Sequence, residues 1–552
     1  MNRRPLVSLA LSLGLAATAP LPAAERTVTL LHVSDTHSHL DATGPRDRSL
    51  AGTVGGIAKA TTVLAAARAK DPDALLLHAG DVFQGDLFFN FAYGVPELQW
   101  MAAMRFDAMA VGNHEFDPGP ETLAGILEQG FADGAVSLLS ANARNLGGLA
   151  PFVSDSILKD AGGVKVGIFG LTVPDDPMCQ NAPVTLDPNL AAVAAARVAA
   201  LRAAGAEVVV LLSHLGLAYD TAVAEAVNGI DVVVGGHDHL TLEEPVEVRS
   251  PSGKTVPVVQ AGPHLANVGR LRLVLRGNEV RVAAFELLPV DDAVVPEPGV
   301  AAVVAQLKEA IEGALGPVFS SEVAVARRAL PVLPRARSPW KDAPVGDLVA
   351  DSFRAAGGTD VAFTSSGFLS EGISAGPLVP ADLFRVVSYG LDPETGLGFR
   401  LVTSELSGAA LAMVLEIGVA GPGPEDAFFP HVSGLRFAYD SRQAPGERVD
   451  LPSLRVGGAP LDPERTYTLT TNSAVAGFLA GVLGVPLANV TPVPDAFEYT
   501  ALLAAVERMG GVVDVRPDGR IRDLAPAHGG PSSRGRGNVS RKFVARGIGG
   551  RS

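Results

Sequence analysis

The chain has 552 residues, 47% of them hydrophobic and 19% charged, with a formal charge of −15 at pH 7. That length suits two or three domains, since single cores stop growing near roughly 250–300 residues, and the apolar fraction excludes wholesale disorder. The acidic balance argues against a nucleic-acid-coating protein. The single cysteine, Cys179, excludes an intrachain disulfide framework and a cysteine-rich zinc or iron–sulfur site.

Met1–Arg4 is short and basic, and residues 5–24 are uncharged and apolar, ending in small residues. Residues 1–24 therefore read as a secretory signal peptide, with cleavage between Ala19 and Ala24. Pro20 and Pro22 and the shortness of the apolar core argue against a membrane anchor. Export with a lone thiol fits a bacterial periplasm.

From Thr27 to about Val290 apolar β-rich runs alternate with Ala-rich helical stretches. In chain order the strand candidates are VTLLHVSD, DALLLHAGD, DAMAVGN, VKVGIFG, EVVVLLSH, DVVVGGH, PVVQAG and RLRLVLR. Helical patterns lie at 55–70, 96–104, 119–129 and 189–204. The alternation predicts an α/β layered fold with continuous buried strands over residues 25–298. PVDDAVVPEPG (289–299) has linker composition, and residues 299–319 read as a linking helix. A second domain with mixed helix and strand signals is expected over 320–525. Residues 472–494 are uncharged and long enough to span a bilayer, but three prolines leave only 473–483 as a helix. A buried helix followed by a loop is expected, and no membrane span in the mature chain. Residues 526–552, with six Arg or Lys and no acid, read as a disordered basic tail.

Five segments place polar residues directly after apolar strands: SDTHSH (34–39), AGDVFQG (79–85), GNHEFD (112–117), SHLG (213–216) and GGHDH (235–239). Ligand sites in α/β sheets form at the carboxyl ends of strands. The segments deliver Asp35, His37, Asp81, Asn113, His114, His214, His237 and His239 to that edge, and hold six of the eleven histidines. Asp35 and His37 are two apart, so both can point to one side as the strand unwinds. His237 and His239 can do the same, with Gly235 and Gly236 allowing close backbone approach. A mixed oxygen and nitrogen set of this size exceeds what one tetrahedral ion needs. Two ions sharing one carboxylate, for which Asp81 is the natural bridge, fit better. Ligand softness suits two divalent transition-metal ions of the Zn, Mn, Fe, Co or Ni class. His32 and His78, inside apolar strands, read as core histidines.

These segments resemble the D-x-H, G-D, G-N-H-E, H and G-H-x-H motifs of the calcineurin-like metallophosphoesterases. PVGDLVADS (344–352), SGLRFAYD (433–440) and RTYTLTT (465–471) resemble the C-terminal domain of the secreted 5′-nucleotidase family. The resemblance implies a metallophosphoesterase β-sandwich flanked by helices, followed by a C-terminal α+β substrate domain. It implies that Asp35, His37, Asp81 and His239 hold one metal, and Asp81, Asn113, His214 and His237 the other. His114 and Asp117 resemble the catalytic dyad. The implied chemistry is attack on phosphorus by a hydroxide bridging the metals, with Asn113 helping to offset charge on the phosphoryl oxygens.

The second domain departs from the family pattern. Where nucleotidases carry an N-G-G-x-I-R segment, this chain has SSGFLSEG (365–372), including Ser366 and Gly367 at the expected substrate loop, and lacks the arginine. Phe429, in FPHVSG, matches a base-clamping ring position, and Phe497 is a second aromatic candidate. The expected substrate is a small phosphate ester of nucleotide type. The rivals are a phosphodiesterase or sulfur-carrier ester hydrolase of the same fold, and a non-catalytic binding protein on this scaffold.

Overall fold

The computed structural model describes residues 25–525, apart from 132–133, 175–183, 278, 335–337 and 425. The expected signal peptide, Cys179 and the basic tail lie outside the described residues. The chain divides into two compact units. One runs up to Glu322 and takes in Val379–Ala381; the other comprises Val323–Leu378 and the chain from Asp382 onward.

The first unit contains two mixed β-sheets. The seven-stranded sheet has the order Glu279–Pro289, Asn267–Arg276, Arg26–Val33, Leu75–His78, Ala108–Ala110, Ser137–Leu139 and Val153–Ser154. From Arg26–Val33 outward to Val153–Ser154 the neighbours are parallel, and the other two pairings are antiparallel. The six-stranded sheet has the order Val246–Arg249, Thr255–Val259, Val232–Val234, Val208–His214, Val164–Thr172 and Ser156–Ala161. Its four middle strands are parallel.

Leu30 and Leu77 of the first sheet pack with Val166, Val210 and Val234 of the second in one core. Truncating the fully buried Leu30 to Ala would cost about 2–5 kcal/mol. The opposite face of the six-stranded sheet is covered by the helices Leu190–Ala203 and Leu217–Ala226, through Leu190, Ala194, Leu201 and Val223. Strands buried on both faces read as unbroken apolar runs, as these do.

The eight expected strands all occur, as do the four helical stretches, at Ile57–Lys70, Val95–Ala103, Pro120–Gly130 and Leu190–Ala203. The helix expected at the linker forms as Pro298–Leu315 and falls within the first unit. Its N-terminus is capped by Glu297, whose carboxylate accepts the Val300 N–H. Glu279–Pro289, the longest strand of its sheet, has no counterpart among the expected strands.

In the second unit a five-stranded sheet has the order Pro430–Ser433, Val361–Ser365, Thr466–Asn472, Arg400–Ser407 and Ala488–Phe497. The helices Gly408–Gly418 and Ser473–Gly481 follow two of these strands. Each starts on a side-chain cap, Ser407 for the first and Asn472 for the second. A four-stranded sheet sets Leu435–Tyr439 parallel to Ile521–Asp523, with Phe437 opposite Ile521. No helix among the described residues is long and apolar enough to cross a membrane. The apolar run at 473–483 forms the helix Ser473–Gly481, whose Val475, Ala476 and Leu479 are buried.

Candidate metal centre

Five parallel strands end at one edge of the first unit and hand over to the five polar segments. Three neighbours in the seven-stranded sheet carry Asp35, Asp81 and Asn113. Two neighbours in the six-stranded sheet carry His214, and His237 with His239. The side chains collect into two groups of three, Asp35 with His37 and His239, and Asp81 with His214 and His237. Within each group the candidate donor atoms lie within 4.8 Å of one another. Asp81 joins the groups, its Oδ2 lying 3.0 Å from His214 Nε2 and 3.8 Å from His37 Nε2. Asn113 Oδ1 faces His214 Nε2 at 3.0 Å and His237 Nδ1 at 3.1 Å.

Second partners fix which nitrogen faces inward. His37 Nδ1 donates to the Phe83 carbonyl at 3.0 Å, and His214 Nδ1 donates to the Ala79 carbonyl at 2.7 Å. In the neutral rings Nε2 then carries a lone pair. His37 Nε2 faces His239 Nε2 at 3.0 Å, and His214 Nε2 faces Asn113 Oδ1 and an Asp81 oxygen at the same separation. Lone pairs opposed at this distance repel unless a cation or a proton lies among them. Burial pulls the His214 imidazole down, but the Asp81 carboxylate outweighs it and lifts His214 to about 9. Asp35 Oδ2, fully buried, accepts no hydrogen bond. An orphaned carboxylate oxygen beside converging nitrogens is a donor set of the kind that binds first-row transition metals.

The backbone is bent to reach this arrangement. Asp35, His37, Asp81, His237 and His239 all have φ between 45° and 86°, the left-handed region that side chains with a Cβ seldom adopt. Gly112 is required here because a Cβ on it would lie 2.2 Å from Asp81 Oδ1. Glu115 secures the loop. Its Oε2 accepts the Gly112 N–H at 2.7 Å and the Asp81 N–H at 3.0 Å, and its Oε1 accepts the Val82 and Phe83 N–H groups at 2.8 and 3.3 Å. Sequence reasoning passes over Glu115 as part of GNHEFD. The available signal is an acid inside a motif whose neighbours are all accounted for.

His114 and Asp117 flank the centre. The segment His114–Phe116 is a 3₁₀ turn, whose three-residue repeat sets positions three apart above one another. His114 Nδ1 donates to Asp117 Oδ2 at 2.7 Å, and the His114 N–H donates to Asp81 Oδ1 at 3.0 Å. The dyad is thus anchored to the carboxylate that joins the two groups. His78, fully buried, bonds Thr36 Oγ1 and the Gly80 N–H, whereas buried His32 makes no hydrogen bond and stacks on Phe285.

The second-unit candidates are placed differently from one another. Ser366 lies in a short 3₁₀ turn, donates to the Pro424 carbonyl and meets His431 Nε2 at 3.1 Å. The Gly367 N–H donates to the Ala427 carbonyl. Phe429 is fully buried in the second-unit core against Tyr439 and His431, so its ring offers no free face for a base to stack on. Its neighbour Phe428 is the exposed ring, stacked on Phe478 at 5.5 Å. Phe497 is nearly buried, with the Arg400 guanidinium over its ring at 4.8 Å.

A two-group donor set at the carboxyl ends of parallel strands, with a histidine–carboxylate pair beside it, defines a calcineurin-like phosphoesterase site. Residues 28–240 match the calcineurin-like phosphoesterase family, and residues 320–481 match the 5′-nucleotidase C-terminal domain. The crystal structure of a 5′-nucleotidase precursor from Thermus thermophilus superposes with a TM-score of 0.77 at 30% identity, covering 91% of this chain and 100% of that one. This chain belongs to the 5′-nucleotidase family of calcineurin-like phosphoesterases. It is 26% identical over 90% of its length to the trifunctional nucleotide phosphoesterase YfkN of Bacillus subtilis, spanning 35% of that protein. It is 33% identical over 51% of its length to the venom 5′-nucleotidase of Crotalus adamanteus, spanning 52% of that one.

Proposed function

We propose that the protein is an exported two-metal phosphoesterase acting on nucleotide-type phosphate esters. The convergence of Asp35, His37, His239, Asp81, His214, His237 and Asn113 on one edge, around the shared Asp81, carries this reading. Asp35, His37, Asp81 and His239 hold one ion, and Asp81, Asn113, His214 and His237 the other. Divalent ions there supply Lewis-acid polarisation of the phosphoryl group and acidify water near neutral pH.

The chain's own residues do the rest. The carbonyls of Phe83 and Ala79 keep His37 and His214 in the tautomer that offers Nε2. Asp117 accepts the hydrogen bond of His114 Nδ1–H and favours the charged ring, whose Nε2–H can then stabilise or protonate the departing oxygen. Asn113 presents its amide at the phosphoryl oxygens. Support for a nucleotide substrate comes from the named activities of the relatives. SSGFLSEG departs from the family's segment and Phe429 is buried, so neither supplies support for a particular base.

Assays of the purified, metal-loaded protein against AMP, cyclic AMP, p-nitrophenyl phosphate and its bis ester test the reading. Phosphate release from AMP is expected, and Asp81→Ala should reduce it by orders of magnitude. Cleavage of the bis ester alone would support the phosphodiesterase rival. Turnover of none of the four, with metals bound, would sink the proposal. Export is tested by fractionation: the chain should be recovered outside the cytoplasm, shortened by its first 19–24 residues.

A further inference from the structure

The second unit holds a separate cluster of carboxylates. An isolated bridge pairs Trp340 with Arg522, and the Lys341 N–H donates to the Ile521 carbonyl, which sets Asp342 against the turn Asp518–Gly519. Asp342 Oδ2 accepts both N–H groups of that turn, at 2.9 and 2.8 Å. Asp347 lies in the first turn of the helix Pro344–Gly357, and Asp351 one turn further on. Donor oxygens of Asp342, Asp347 and Asp518 come within 4.8 Å of one another.

Two observations mark this as more than an acidic patch. Asp342 and Asp347 are each 1% exposed, and Asp342 Oδ1 and Asp347 Oδ2 accept no hydrogen bond. Burying carboxylate oxygens without a partner is costly unless a cation compensates. The cations present fall short. Arg520 reaches Asp347 at 3.2 Å, Asp518 at 3.1 Å and Asp351 at 2.8 Å, and the exposed Arg436 reaches Asp518 at 3.0 Å. Two guanidiniums face four carboxyl groups, and burial lifts Asp347 to about 8 even with Arg520 beside it.

We propose that Asp342, Asp347 and Asp518 form a divalent-cation site in the second unit, distinct from the phosphoesterase centre and suited to calcium. The donors are all carboxylate oxygens, the hard ligands that calcium and magnesium prefer over the transition metals. Asp518 is exposed, so the cluster meets solvent on that side. The bound ion ties three stretches together, the segment before the helix, its first turn and the Asp518–Gly519 turn, which are up to 176 residues apart in sequence.

The test is equilibrium dialysis of radioactive calcium against the full chain with its phosphoesterase centre already loaded with cobalt. One calcium per chain beyond the cobalt is expected. Asp342→Asn and Asp347→Asn should each weaken that uptake at least tenfold without lowering cobalt content. Asp518→Asn, at the rim, should do the same and does not depend on a buried substitution being tolerated. Asp35→Asn should leave the calcium unchanged. No calcium beyond the cobalt, or undiminished calcium in both Asp347→Asn and Asp518→Asn, would overturn the proposal.

Discussion

Glu115 holds Asp81 by its backbone: one carboxylate oxygen accepts the Asp81 N–H at 3.0 Å and the Gly112 N–H at 2.7 Å, while the other takes the next two N–H groups along. The residue that joins the two donor groups therefore owes its position to an acid that does not face them. Truncation to Glu115→Ala would leave four buried N–H groups without an acceptor. At roughly 1–3 kcal/mol for each orphaned group, the loss should reach at least about 3 kcal/mol. Glu115→Gln keeps one acceptor oxygen and should fall between. Urea unfolding and metal content by mass spectrometry check both, and wild-type stability in Glu115→Ala would show that the four bonds do not matter.

His114 is expected to act on turnover and not on metal retention. His114→Ala should lower kcat by about 10²–10⁴ with both metals still bound. Asp117→Asn keeps an acceptor near Nδ1 but removes the charge, and a drop of about tenfold is expected. Steady-state kinetics with metal analysis on the same samples separates the roles. Loss of metal from His114→Ala would mean that this ring is a ligand.

Burial alone lowers His32 from 6.5 to about 4. Between those values the unfolded chain binds a proton that the folded chain refuses, so stability falls as the pH drops through the window. The slope is at most about 1.4 kcal/mol per pH unit. His32→Gln does not titrate. Its stability relative to wild type should therefore improve steadily from pH 6.5 down to pH 4 in urea titrations. A constant difference across that range would refute the assignment.

Glu498 gives the opposite slope. Burial raises it to about 8, against the hydrogen bond it accepts from Asn472 Nδ2 at 2.7 Å. From pH 4.5 to 8 the folded carboxyl keeps a proton that the unfolded one has released, so its contribution to stability declines as the pH rises. Glu498→Gln should gain on wild type over that interval and level off above it. Thermal unfolding across the range reads this directly.

The strand ends and the residues they deliver were legible because buried parallel strands leave unbroken apolar runs, and an Asp, Asn or His directly after one has few other reasons to be there. The strand Glu279–Pro289 was not, because most of its residues are exposed or only partly buried and supply no such run. Phe428 and Phe429 are neighbours of one chemistry, and only packing decides which ring turns inward. The Asp342–Asp518 pairing spans 176 residues and depends on a bridge that no local pattern announces. The left-handed conformations at Asp35, His37, Asp81, His237 and His239 are equally silent in the sequence, since they are imposed by tertiary bonds such as those of Glu115.

Those five conformations carry a cost in durability. Glycine at any of them would relax the chain by roughly 1 kcal/mol while deleting a donor. The bonds and ions that hold these five residues in place must therefore outweigh that strain, so the loops depend on what binds there for part of their stability.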